Sequence, residues 1–441
     1  MMSQEQNDRI TRVGPGTPCG KLMRQYWQPA ALAEELKPDR PVVPVRLLGE
    51  DLVLFRDDKG RLGLIGRRCP HRNTDLSYGR CEHGGLRCVF HGWLFDVNGQ
   101  CLQQPAEPES SRMHLGIKHT AYPVIEKNGI VFAYMGRGAP PAFPDYDCFV
   151  VPDAYSFAFK GMWECNWLQS HEIGVDPSHV SFLHRFFDDK DPNQGYGWQF
   201  RDKTTGSDLV MTQVMREFDR PQITIVPADY GFNLVTLRPM SDTQTHVRVT
   251  NMMFPNTVNL PMSQEMVLTQ WHVPIDDVNT YWYSMFTSFT KPVDKEQMRN
   301  QRLLTLEPPL YRSKSNKSNN YNFNANEQAH ETYTGMGHDI NVHDQFAVES
   351  QGQISDRTKE HLGQSDRGIS AYRRLLTDAI AKVEKGERAP MTFDAAEAKR
   401  ITGPATLDGV APMASWDEFW RDAYRKRRAA ATWSNFSTAA E

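Results

Sequence analysis

Cys69-Pro70-His71 and Cys88-Val89-Phe90-His91-Gly92-Trp93 decide how this chain is read. Each segment pairs one thiolate with one imidazole, as Cys-x-His and Cys-x-x-His, and sixteen residues separate His71 from Cys88. A [2Fe–2S] cluster can be held this way, with both cysteines on one iron and both histidines on the other. Neutral imidazoles in place of anionic thiolates leave the cluster less negative, so it accepts an electron more readily. Two cysteines and two histidines also satisfy a tetrahedral zinc ion. Zinc modules usually pair like with like, however, whereas here each pair is mixed and the first has a single intervening residue. Cys81 and His83 lie in the same loop but off the spacing, and are read as spectators. The motif implies an electron carrier and leaves open where the electron goes.

Outward from it, the pattern is that of short strands. Runs at 42–48, 51–56 and 61–66 are separated by Gly49-Glu50 and by Asp57-Asp58-Lys59-Gly60. Asn98-Gly99 and Asn128-Gly129 are two-residue hairpin signals, the second joining 122–126 to 130–135. Residues 41–140 thus read as a small all-β domain carrying the cluster loops. Residues 1–40 read as an amino-terminal arm with a short helix around 21–27. Residues 136–144, rich in Gly and Pro, read as a linker.

A second domain is expected over 145–441. Residues 160–190 read as mostly helix. Strand-like runs follow at 209–216, 222–227, 233–238, 245–254, 266–273 and 280–289, the last two straddling Asp276-Asp277 as an antiparallel hairpin. Residues 312–335, rich in Asn, Ser and Lys, read as a long mobile loop, and helices dominate after about Asp344. The class is α+β, with an antiparallel sheet and helices gathered at its ends. Near the carboxyl end, Ser415-Trp416-Asp417-Glu418 has the form of a capping box. The basic residues Arg425, Lys426, Arg427 and Arg428 read as a solvated complement to the helix dipole rather than a nucleic-acid site.

Composition agrees with a soluble globular protein. The chain has 441 residues, 39% hydrophobic and 24% charged, with net charge −4, so no polyanionic partner is implied. The first residues lack the apolar core of a signal peptide, and no run reaches the length of a membrane span. Seven cysteines, all before residue 166, argue against a disulfide framework and for a reducing, cytoplasmic home.

The informative stretch of the second domain runs from Asn166-Trp167 through Asp176-Pro177-Ser178-His179 to Leu183-His184. Histidines five residues apart do not share a face of an ideal helix, so a shared metal requires the helix to bend or end between them. Asp176-Pro177 fits a helix start there. Two imidazoles and a distant carboxylate make the facial triad of mononuclear non-haem iron oxygenases, with open positions for oxygen and substrate. The carboxylate candidate is Asp344, in His343-Asp344-Gln345, with Asp339 as its competitor.

On these residues the chain resembles the oxygenase α-subunits of Rieske non-haem iron aromatic-ring hydroxylases, and most closely the phthalate dioxygenase-like branch. The resemblance also rests on Gly16-Thr17-Pro18, Tyr26-Trp27, Leu86-Arg87 and Asp356-Arg357-Thr358-Lys359-Glu360-His361-Leu362-Gly363. It implies that Cys69, His71, Cys88 and His91 bind the [2Fe–2S] cluster. It implies likewise that His179, His184 and Asp344 bind a mononuclear Fe(II), and that Asp176 bridges a cluster histidine of one subunit to His179 of a neighbour. It further implies a helix-grip (START-like) catalytic domain and a head-to-tail homotrimer, or a hexamer built from two. Many relatives carry Asn after the position of Glu172, where this chain has Ile173.

No Gly-rich dinucleotide fingerprint follows a strand: Gly14-Pro15-Gly16 and Gly335-Met336-Gly337 lack the context. Electrons are therefore expected from a separate NAD(P)H-dependent reductase, with or without a ferredoxin. Relatives act with O2 on aromatic carboxylates, by ring cis-dihydroxylation or by O-demethylation of a methoxy group, and the iron site is common to both. Arg216, Arg238 and Arg248 are candidate carboxylate partners, each otherwise a solvated strand position. A Rieske electron-transfer protein without oxygenase activity is the alternative, but it needs only one ordinary domain.

Overall fold

The computed structural model describes residues 2–189, 203–431 and 433. Three small sheets build the first part of the chain. Val42–Leu47, Glu50–Arg56, Leu62–Gly66 and Ala121–Tyr122 form one, in that order. Arg80–Glu82, Gly85–Arg87, Leu94–Phe95 and Cys101–Gln103 form the second. Val124–Lys127 and Ile130–Tyr134 pair around Asn128-Gly129, whose φ angles of 45° and 84° are the left-handed pair that a tight hairpin demands.

The expected amino-terminal arm is more than an arm. Its helices are Gln4–Thr11 and Pro18–Met23, the second capped by Thr17 with Pro18 at its first position. Trp27–Leu32 is a strand against Ile130–Tyr134, not the end of a helix. The helix ends at Met23, and pairing of the buried residues 28–32 with Ile130–Tyr134 prevailed over the helical pattern beyond it. The Tyr26 hydroxyl donates to the Pro390 carbonyl at 2.5 Å, and the Trp27 indole donates to Pro141 at 2.8 Å.

The second part is organised on a ten-stranded sheet. Its main path runs Gln222–Ala228, Gly231–Pro239, Gln244–Met253, Thr257–Pro261, Met266–Pro274, Thr280–Ser288, Ser156–Trp163 and two short strands, with Leu407–Pro412 also paired to Gln244–Met253. The long neighbours are antiparallel, and the hairpin across Asp276-Asp277 forms as its pattern suggests. Both faces of Gln244–Met253 are used. Val247 and Val249 pack with Trp420, Trp416 and Phe419 of the carboxyl-terminal helix Trp416–Ala430, while Arg248 and Thr250 turn to a cavity on the other face.

Several local expectations fail for identifiable reasons. Residues 209–216 contain the helix Met211–Glu217, because Met211, Val214 and Met215 are buried at helical and not alternating spacing. Residues 160–190 are not mostly helix. Ser156–Trp163 is a strand hydrogen-bonded to Thr280–Ser288, and the only α-helix in the described part of that stretch is Trp167–Glu172; residue 190 itself lies outside the described residues. Residues 312–335 hold a 3-10 turn at Lys317–Asn322 and a helix at Ala325–His330. Asn-rich composition served capping there, with Asn316 and Asn324 each accepting from the following backbone. Ser415 precedes its helix without making the side-chain cap. Arg427 and Arg428 are not simply solvated: Arg427 donates to Thr406 at 3.0 Å, and Arg428 lies buried beside Asp147 at 3.3 Å. All seven cysteines are free. Among the described residues no helix is long and apolar enough to cross a membrane.

Candidate metal centres and the cavity between sheet and helices

The two cysteine–histidine loops lie at one end of the small sheets, on a core of Leu76, Leu86, Trp93 and Phe95. Each closes by its own backbone. Asn73 N–H donates to Cys69 O at 2.8 Å, Gly92 N–H donates to Cys88 O at 3.0 Å, and Gly92 takes φ +73°. Arg67 clasps Asp75 across the first loop at 2.6 Å, and Arg87 donates to the Gly92 carbonyl at 2.6 Å across the second. Burial raises the Asp75 pKa, but the Arg67 guanidinium outweighs it and holds the carboxyl at about 2.

The loops bring the four donors together in like pairs. His71 and His91 approach to 4.4 Å between ring centres, and Trp93 stacks on His71 at 4.6 Å with planes 6° apart. Cys69 and Cys88 sit thiol to thiol, and burial pushes the Cys69 pKa up to about 12 against the donation of His71 and Arg72 N–H groups. Buried sulfurs facing backbone donors, with imidazoles on the outer side and the His91 Nδ1 buried and unpartnered, suit a cluster bridging the two pairs. Cys81 and His83 are not part of this set: Cys81 faces the Pro41 carbonyl, and His83 is exposed in a turn with φ +51°.

The second group of donors is built by a chain that refuses to stay helical. Asn166 caps Trp167–Glu172, accepting from Leu168 N–H at 3.1 Å, while its amide and the Trp167 indole hold the Thr11 carbonyl of the amino-terminal helix. A 3-10 turn follows at Ile173–Val175, and Asp176 breaks it with extended backbone. No α-helix starts at Pro177. Instead the Asp176 carboxylate accepts from Ser178 N–H at 2.8 Å, and one 3-10 turn, His179–Ser181, precedes a further bend at Phe182. Proline and an aspartate that hydrogen-bonds its own backbone compete with the helix here. The bend lets His179 and His184 converge, 5.1 Å between ring centres.

Asp344 completes the group from the helix Ile340–Glu349. Its Oδ1 lies 3.1 Å from His184 Nε2 and 3.8 Å from His179 Nε2, and one ligand atom of each residue lies within 4.8 Å of the others. The competitor Asp339 is occupied as that helix's N-cap, accepting from Asn341 N–H at 3.0 Å, with Arg302 3.6 Å away. Burial raises the Asp344 pKa, and the facing imidazoles His184 and His179 more than offset it. Burial likewise depresses the His179 pKa. A buried carboxylate oxygen faced by two imidazole nitrogens is a donor set that fits a divalent metal.

A cavity of about 400 Å³ opens onto these donors, and its lining is mainly apolar. Leu234, Leu260 and Leu268 line it from the sheet, and Met211 and Met215 from a helix. The three candidate arginines separate. Arg216 is on a helix and pairs with Asp189 at 2.7 Å. Arg238 is fully buried, and its Nη2 donates to the Pro177 carbonyl at 3.0 Å, pinning the bend. Burial and the nearby Arg248 lower the Arg238 pKa to about 10. Arg248 alone of the three lines the cavity, paired with Asp408 at 2.6 Å and donating to Pro261 O at 3.2 Å. None is a solvated strand position.

Sequence reasoning missed Arg238 as a support for the bend and His343 as a neighbour of His184. Position 343 carried a signal, a histidine beside the expected ligand, without a partner to give it meaning. The segment 356–363 also gains a role: buried Arg357 donates to Glu172 at 2.8 Å and to Asn7 at 3.2 Å, behind the bend.

The Rieske [2Fe-2S] domain family matches residues 26–123, and the family described as LigXa C-terminal domain like matches residues 133–427. The oxygenase subunit of phthalate 4,5-dioxygenase from Pseudomonas putida is 33% identical over 96% of this chain and 94% of its own. The oxygenase subunit of 5,5'-dehydrodivanillate O-demethylase from Sphingobium is 33% identical over 88% of this chain and 82% of its own. The solved structure of an NdmA mutant with theobromine, from Pseudomonas putida, shares the fold, with TM-score 0.58 and 18% identity over 85% of this chain and 96% of that one.

Proposed function

The chain belongs to the Rieske non-haem iron oxygenases, and from that premise we propose that it oxygenates an aromatic carboxylate in the cavity beside His179, His184 and Asp344. It is a terminal oxygenase component that uses a [2Fe–2S] cluster and mononuclear iron. When bound, the cluster supplies electrons and the iron activates O2. Cys69, His71, Cys88 and His91 would hold the cluster, and His179, His184 and Asp344 the iron. The convergence of three donors in the lining of a cavity of about 400 Å³ carries the proposal.

The chain's own residues then do the following. The His179 Nδ1–H donates to the Asp176 carbonyl at 2.5 Å, which leaves Nε2 free toward the metal. Two imidazoles and one carboxylate would hold the metal, and all three of these residues line the cavity. Leucine and methionine walls exclude water and accept an aromatic ring. Among the described residues Arg248 is the one arginine of the cavity lining, and it orients a carboxylate there.

A reductase, with or without a ferredoxin, delivers the electrons, since neither Gly14-Pro15-Gly16 nor Gly335-Met336-Gly337 has the context of a dinucleotide fingerprint. Head-to-tail assembly into a trimer or hexamer would set Asp176 of one subunit against His71 or His91 of the next. The Asp176 side chain keeps about a fifth of its surface exposed, and Val89 and Phe90 stand exposed beside His91. A cytoplasmic setting suits the seven free cysteines.

Arg248 is already neutralised by Asp408. That pairing favours a second reading, in which the ligand presents a neutral methoxy or hydroxyl oxygen there. The test is product analysis on iron-loaded, chemically reduced enzyme exposed to oxygen. Aromatic acids and their neutral analogues, with and without methoxy groups, form the panel. Formaldehyde matched to methoxy loss identifies an O-demethylase, and a cis-diol without formaldehyde identifies a ring dioxygenase. Turnover of neutral analogues alone would reject the carboxylate.

A further inference from the structure

We propose that His343 is a positioning residue that fixes the tautomer and ring orientation of His184 through a relay anchored on the Gly337 carbonyl. The inference rests on His184 being an iron ligand, as stated above. His343 is fully buried on the helix Ile340–Glu349. Its Nε2 lies 2.8 Å from the Gly337 carbonyl oxygen. A carbonyl can only accept, so Nε2 carries the proton and Nδ1 of the neutral ring keeps its lone pair. That Nδ1 faces Nδ1 of His184 at 3.4 Å. A hydrogen bond there requires the proton on His184 Nδ1. His184 Nε2 is then bare, at the atom that lies 3.1 Å from Asp344 Oδ1.

The surroundings hold the relay in place. The two rings lie 26° from parallel with centres 5.6 Å apart, and Phe186 packs on His343 at 6.2 Å. Gly337 takes φ +79°, and its N–H donates to Glu327 Oε1 at 2.7 Å, so the accepting carbonyl is itself oriented by the segment around Ala325–His330. His179 meets the same need directly, through the Asp176 carbonyl. One ligand histidine thus answers to a carbonyl, and the other to a carbonyl through a second histidine. His343 is not itself a ligand: Nε2 is engaged with Gly337, and Nδ1 with His184.

The test uses full-length protein with its cluster intact and the mononuclear site emptied by a chelator, titrated anaerobically with Fe(II). The parent and His184→Ala come first. One Fe(II) bound by the parent and lost in His184→Ala establishes the ligand assignment independently of His343. His343→Gln keeps an amide donor for Gly337 but puts no acceptor beside His184. His343→Asn puts its amide oxygen near the place of Nδ1. The Gln variant is expected to bind Fe(II) roughly 10–100-fold more weakly, as loss of an outer hydrogen bond to a metal-bound histidine typically does. The Asn variant should stay close to the parent. The visible spectrum of the cluster should be unchanged in both, and the d–d bands of the Co(II)-loaded site should shift only in Gln. If Gln fails to fold, His343→Phe serves as the variant without an acceptor. Parental affinity in the folded Gln or Phe variant, or equal weakening in Asn and Gln, overturns the relay.

Discussion

Glu172→Gln removes one charge and almost no volume from a heavily paired buried site behind the bend that carries His179 and His184. The Glu172 carboxylate accepts from Arg357 Nη2 at 2.8 Å and from Arg373 Nε at 2.5 Å and Nη2 at 3.0 Å. Burial raises the Glu172 pKa, but Arg357 and Arg373 outweigh it and hold the group ionised. The two arginines differ in what they keep after the substitution. Arg373 retains Glu360 at 2.5 Å, whereas Arg357 is left with Asn7 and the Ser355 carbonyl, its Nε already unpartnered. A guanidinium stranded in the interior costs about 3–5 kcal/mol. At the low end of the usual conversion, roughly 2 °C per kcal/mol for a large domain, the midpoint should fall by about 6–10 °C. Arg357→Met should cost less, because it leaves Glu172 satisfied by Arg373 and fills the space with an apolar chain. Lys359→Ala, which breaks an exposed pair with Asp356, should be nearly silent. Differential scanning calorimetry of the three variants at one scan rate measures the order. A Glu172→Gln midpoint within about 2 °C of the parent, or a loss smaller than that in Arg357→Met, would refute the stranded-charge reasoning.

Other expectations concern the cavity, the bend and pH. Arg248→Gln should raise KM for aromatic acids about tenfold or more, the worth of one charge-assisted hydrogen bond, with neutral analogues little affected; equal loss for both would make Arg248 part of the scaffold around Asp408. Arg238→Met removes a buried cation and its bond to Pro177, so the midpoint should hold within about 3 °C while Fe(II) is retained less tightly. Unchanged Fe(II) binding would show that the bend stands without that staple. Burial pushes the Asp147 pKa up to about 6, with Arg428 opposing. A raised carboxyl pKa favours the protonated fold, so its stabilisation is full below about pH 4 and is lost as pH rises through 6, by roughly 3 kcal/mol. Asp147→Asn should therefore gain midpoint relative to the parent between pH 4.5 and 7.5; a difference independent of pH contradicts the shift.

Sequence carried the cluster loops best, because both donors of each pair lie within four residues and the turn chemistry is local. Asn128-Gly129 likewise demanded the hairpin found there. The second centre was half legible. The five-residue interval between His179 and His184 required a bend or an end of the helix, and a bend with 3-10 turns supplies it, whereas Asp176-Pro177 read as a helix start and none forms there. The choice of Asp344 over Asp339 needed the fold, since one helix cap decides which carboxylate is free. The strand at 156–163 was obscured by a register that buries both its faces, which removes the alternation that marks a half-exposed strand. Met211–Glu217 misled in the opposite direction, a short run read as a strand although its buried Met211, Val214 and Met215 fall at helical spacing. Arg238 and Arg248 looked like solvated strand positions because nothing local announces Asp408 or the Pro177 carbonyl, which reach them from distant segments.

The most direct test is an iron and acid-labile sulfide count on parent and Asp344→Ala protein. The parent should hold three irons and two sulfides per chain, since the cluster takes two of each and the facial triad one more iron. Asp344→Ala should hold two and two, with an unaltered cluster spectrum and no product formation. A parent with only two irons per chain, or a variant that keeps the third, would contradict a mononuclear centre at His179, His184 and Asp344.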